Sequence, residues 1–106
     1  MDRPSQTSVE RSARGLARRA FSGSPSVVHR RGNHLLVVAE AIRRRWGVAP
    51  SAWQAKHIRW FLEVEKSDCS SGTQYRYFLY IKKILIHQDR WLDWKNLLRG
   101  SWTRPK

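Results

Sequence analysis

Five side chains that bind phosphate or read a base edge recur along one stretch of this 106-residue chain. They are Thr73, Arg76, Tyr80, Lys83 and His87, spaced three, seven, ten and fourteen residues from the first. On a helix, that spacing puts all five on one narrow face. The face is cationic and hydrogen-bonding and carries no carboxylate, a composition suited to phosphates and base edges. Lys56 and Arg59, on the outer strip of the segment before it with Glu63 and Lys66, are expected to contact nearby phosphates. The bland alternative is that such a strip is simply solvated surface, which is where most charged residues lie.

Other chemistries lack their residues. His29, His34, His57, His87 and Cys69 are scattered, with no Cys-x-x-Cys pair and no histidines at helical i,i+4 spacing, so no metal is expected. There is no glycine-rich phosphate loop, no Gly-x-Ser-x-Gly elbow and no carboxylate pair in an apolar setting. No catalytic residue and no cofactor are expected, and the chain reads as a binding protein, not an enzyme.

Charge narrows the partner. Lys plus Arg number 21 against 8 acids, a formal net charge of +13. Arginine supplies 15 of the 21, and its planar fork matches phosphate and guanine better than an ammonium does. Nucleic acid is the leading partner, double-stranded DNA if the strip meets a groove, and an anionic membrane surface is second. No run of 18 apolar residues exists, so no membrane span is expected. The six tryptophans either fill a small core or form a stacking platform for single strands.

The strip needs a helix, and the segment Ser70–Gln88 provides one. Ser70 or Ser71 caps its start, and Phe78, Ile81 and Leu85 form its apolar stripe, flanked by Tyr77 and Ile84 and by Tyr75, Leu79 and Ile86. Gln74 and Lys82 project to the apolar side against the pattern. Three further helices are expected. One covers Ser26–Trp46, with Leu35, Val38, Ala39, Ile42 and Trp46 inward and Gly47 as its stop. A second runs from Ser51 or Ala52 to Lys66 with Ala55, Ile58, Phe61 and Leu62 inward, and Arg59 placed to pair with Glu63. A short one spans Trp91–Arg99, ended by Gly100. No segment alternates as a strand does. The expected architecture is therefore all-α, a compact four-helix unit over residues 32–100. A basic arm over residues 1–31, with seven arginines against Asp2 and Glu10, is expected to be disordered, since an isolated helix within Ser8–Phe21 is marginal in water. Residues 101–106 read as a tail or linker.

Lys56-His57-Ile58 with Trp60, then Ser71-Gly72-Thr73, Arg76, and Lys83 within Ile81-Lys82-Lys83-Ile84, resembles the core-binding domain of tyrosine recombinases, the SAM-like region of phage and mobile-element integrases. The resemblance covers roughly Gly32 to Lys106. It implies a four-helix SAM-like bundle that clamps one side of a recombination site and works with a catalytic recombinase domain or subunit. That catalytic domain, with its arginines, lysine, histidines and tyrosine nucleophile, is expected to begin where this chain stops. The resemblance thus implies a role in DNA integration or recombination through binding alone, in a bacterial cytoplasm beside the nucleoid. Two other classes stay open: a small RNA- or ribosome-associated basic protein, and a helical protein that binds a partner through its tryptophan face.

Overall fold

The computed structural model describes residues 4–100 and residue 102, and every regular element among them is helical. The chain divides into two compact units, one ending at Trp53 and the other beginning at Gln54.

The first unit departs from expectation. The segment expected as a disordered arm forms a helix, α1 (Gln6–Ala20), with Ser5 Oγ accepting from the Ser8 amide at 3.0 Å. Residues 1–3 of that arm lie outside the described residues. The physical reason is a partner. Val9, Ala13, Leu16 and Ala17 are buried at helical spacing, and α1 packs along α2 (Pro25–Trp46). A helix that is marginal alone is stabilised once its apolar stripe has a surface to cover. Phe21 follows the helix and is also buried.

α2 starts one residue before the expected Ser26, because Ser24 caps it and Pro25 occupies its first position. Residues 31 and 32 therefore lie inside one continuous helix. Leu35, Val38, Ala39 and Ile42 are buried as their spacing predicts, while Trp46 is half-buried. Gly47 ends the helix in the left-handed region at φ 69°, its N–H donating to the Arg43 carbonyl at 2.7 Å. Glu40 gathers two of the three terminal arginines, Arg43 at 2.7 Å and Arg44 at 3.1 Å. Arg43's hydrogen bond, more than any other contact, holds the Glu40 carboxyl below its usual range. Arg45 stacks over Trp46 instead.

The second unit carries the three later helices. α3 (Ala55–Trp60) runs on into a π-helical turn, Phe61–Glu65, in which the Lys66 amide reaches back five residues to the Phe61 carbonyl at 3.0 Å. The expected helix start, Ser51 or Ala52, falls instead in a short 3₁₀ turn, Pro50–Ala52, that belongs to the first unit. α4 (Ser71–His87) starts on the Ser70 cap. It closes with the Arg90 amide on the Leu85 carbonyl at 2.8 Å and Asp89 at φ 61°, a left-handed position that aspartate tolerates better than most residues. α5 (Trp91–Trp94) is shorter than expected, though turn hydrogen bonds from Leu97 and Leu98 to Trp94 extend its path. The core of this unit is Ile58, Phe61, Leu62, Phe78, Ile81, Ile84, Leu85 and Leu98.

Of the expected tail, 101–106, only Trp102 lies among the described residues. It is buried, at 3% exposure, and its indole N–H donates to the Leu98 carbonyl at 2.8 Å. A large ring with a satisfied polar edge belongs in a core, not in a linker.

Candidate nucleic-acid interface

Two side chains of α4, Gln74 and Tyr77, seat the helix against the π-turn region. Gln74 Nε2 donates to the Leu62 carbonyl within the π turn at 3.1 Å and to the Lys66 carbonyl just after it at 2.9 Å. Tyr77 meets Phe61 edge-on at 5.3 Å, and burial raises the tyrosine's pKa. Together they roll α4 toward α3. The glutamine that broke the apolar pattern is thus an anchor. Lys82, the other misfit, places its ammonium over the Trp91 ring at 5.0 Å, and Trp91 in turn packs against Phe78.

This roll moves the exposed face away from its expected centre. Arg76, Lys83 and His87 are exposed along α4, so three of the five strip residues share the solvent side. Thr73 and Tyr80 are half-buried at its margin, and Thr73 is engaged with the helix cap, its hydroxyl accepting from Ser70 Oγ at 3.0 Å. Leu79 and Ile86, expected inside, are exposed by 38% and 54% and lie among the cations. No carboxylate of the described residues pairs with Arg76 or Lys83.

Lys56 and Arg59 sit on α3 as expected and line one open cleft of about 410 Å³ with Asn96 and Leu97. Their circumstances differ. Lys56 is exposed. Arg59 makes the expected bond to Glu63 at 3.0 Å, and also donates to the Leu97 carbonyl at 2.8 Å and the Arg99 carbonyl at 3.3 Å. Its guanidinium lies over the Trp102 ring at 5.6 Å. Arg59 therefore ties the end of the second unit to α3, and most of its fork is committed to that task. No signal in the sequence could have shown this, because its partners are main-chain carbonyls about forty residues away.

His57, between Lys56 and Ile58, is buried and points inward. Its Nδ1 accepts from the Gln54 amide at 2.9 Å, which caps α3. Burial lowers its pKa, and the neighbouring Lys56 charge lowers it further. Burial and this bond make it part of the α3 start.

Among the described residues no three His, Cys, Asp or Glu side chains gather to hold a metal, and no helix is long and apolar enough to cross a membrane. The tryptophans divide: Trp53 and Trp102 are buried, and Trp46, Trp60, Trp91 and Trp94 are half-buried. Trp46, Trp91, Trp94 and Trp102 each carry a basic side chain over the ring, from Arg45, Lys82, Arg90 and Arg59 respectively, which occupies the faces a stacking platform needs. Comparison with known protein families, with curated proteins and with solved structures finds no match to this chain.

Proposed function

We propose that this chain is a DNA-binding module, and that its likeness to the core-binding domain of tyrosine recombinases reflects a role in DNA integration or recombination beside the bacterial nucleoid. One observation carries the reading. The solvent side of α4 presents Arg76, Lys83 and His87 at helical spacing without an acid among them, on a chain of net charge +13. An α-helix fits the major groove of duplex DNA, and cations along its edge neutralise the flanking phosphates. Lys56, exposed on α3, adds a further cation in the same unit. Thr73 and Tyr80 serve at the groove margin, and Arg59 acts by holding the domain's end in place, with little of its fork left for phosphate. The module binds, and strand cleavage falls to a catalytic recombinase domain or subunit.

The test compares duplex DNA, a hairpin RNA and a single strand of equal length at matched salt. Duplex DNA is expected to bind most tightly. A preference for RNA or single strands contradicts the proposal.

A second reading rests on Leu79 and Ile86. Two exposed apolar residues seven apart, flanked by Arg76 and Lys83, also suit the apolar stripe of an acidic amphipathic helix. Arg76→Ala and Lys83→Ala separate the two readings: a DNA module loses duplex affinity in both variants, whereas a partner-binding face leaves duplex affinity unchanged.

A further inference from the structure

An open cleft of about 490 Å³ lies between the second half of α1 and the first half of α2, entirely within the first unit. Its wall is cationic and its floor apolar. Arg14, Arg18 and His29 form the wall, and Ala17, Phe21 and Val28 form the floor. No lining residue is acidic, and none of the ion pairs among the described residues involves either arginine.

Arg14 is preorganised. Its Nη2 donates to Asn33 Oδ1 at 2.8 Å, and its Nη1 lies 3.4 Å from His29 Nδ1. Gly32 leaves room for this placement: a Cβ there would stand 3.3 Å from Arg14 Nη1 and 3.4 Å from the Ala17 methyl, close enough to press on the guanidinium. Arg18 lies one turn along α1 on the same face and is exposed. A fixed guanidinium, a second one in reach and an imidazole, with no carboxylate to neutralise them, make a receptor for an anion. One fork suffices for a carboxylate, whereas two forks and an imidazole match the several oxygens of a phosphate monoester. Beside them the half-buried Val28 side chain and the small exposed edge of the buried Phe21 ring offer an apolar surface to the rest of the ligand.

We infer that this cleft binds a nucleotide, with its phosphate on Arg14, Arg18 and His29 and its base against Val28 and the exposed edge of Phe21. It is a site separate from the α4 face, and it stands whether or not α4 contacts duplex DNA. A free nucleotide and the 5′-phosphorylated end of a strand share this chemistry.

The experiment titrates the full ¹⁵N-labelled chain with deoxyadenosine 5′-monophosphate, deoxyadenosine, inorganic phosphate, and a trinucleotide with and without its 5′-phosphate. Amide shifts and dissociation constants are the readouts. The monophosphate is expected to give saturable shifts confined to residues 14–33, at least tenfold tighter than either deoxyadenosine or inorganic phosphate. Arg14→Gln and Gly32→Ala should each weaken it about tenfold, and Arg30→Gln, an exposed cation outside the cleft, should not. A 5′-phosphorylated trinucleotide that binds as well as the monophosphate assigns the site to strand ends, and one that binds more weakly assigns it to free nucleotides. The inference is overturned if the monophosphate binds no tighter than inorganic phosphate, or if its shifts spread over arginines throughout the chain. It is equally overturned if the Arg14 and Gly32 variants both bind like the parent. Should a variant fail to fold, the ligand comparison on the parent chain decides alone.

Discussion

Replacing Gly100 with alanine tests whether the end of the second unit is part of its core. A Cβ at that position falls on the six-membered ring of Trp102, well inside contact distance of three of its carbons. The backbone cannot absorb this locally, since the indole is fixed by its bond to the Leu98 carbonyl and covered by the Arg59 guanidinium. The ring must leave. A buried tryptophan covers about 150–250 Å², worth roughly 4–6 kcal/mol at ~25 cal/mol per Å², and that figure is an upper bound. Allowing for partial recovery of contacts, Gly100→Ala should cost about 2–4 kcal/mol, close to the ~3–5 kcal/mol expected for Trp102→Ala. The two effects share one cause, so the double variant should be far from additive. Urea melts followed by circular dichroism give the three stabilities, and the Trp102 indole resonance reports undocking directly. Gly100→Ala melting within about 0.5 kcal/mol of the parent, or full additivity with Trp102→Ala, refutes the docked end.

Two further predictions concern the same unit. His57 has a folded pKa depressed below its ordinary value near 6.5, so the unfolded chain takes up its proton first. Stability from this group is fully present above about pH 6.5 and is lost as pH falls from there through the depressed folded value, with a slope of at most about 1.4 kcal/mol per pH unit. His57→Gln should flatten that limb in denaturant melts between pH 7 and 5, and an unchanged limb contradicts the assignment. On α4, Leu85→Ala and Phe78→Ala should each cost roughly 2–5 kcal/mol by leaving a cavity, while Arg76→Ala and Lys83→Ala stay within about 0.5 kcal/mol of the parent in thermal melts.

Helices with strong internal signals were legible from residues alone. Leu35, Val38, Ala39 and Ile42 announce α2, and Gly47 stops it; Ser70 and the Phe78–Ile81–Leu85 spacing announce α4. What escaped depends on contacts distant in sequence. α1 looks marginal because its stripe is mostly small residues, Ala13 and Ala17 beside Val9 and Leu16, and such a stripe stabilises a helix only against a close partner such as Gly32 and its neighbours on α2. The roll of α4 turns on Gln74 finding two carbonyls of a π turn, and π turns leave no periodic mark. Periodicity placed Leu79 and Ile86 inside, and the Gln74 anchor turned them out. Trp102 and Arg59 show the same limit. Their partners are the Leu97, Leu98 and Arg99 carbonyls, which every residue type possesses and which no composition can single out.

The central claim is that the solvent side of α4 meets duplex phosphate, and the salt dependence of duplex binding tests it most directly. The logarithm of the association constant should fall linearly with the logarithm of salt concentration, with a slope of about −0.9 for each phosphate neutralised. Arg76→Ala and Lys83→Ala should each weaken binding and make that slope shallower by about one unit, at unchanged thermal stability. Parent-like affinity and slope in both variants would show that duplex DNA, if it binds at all, does so somewhere other than α4.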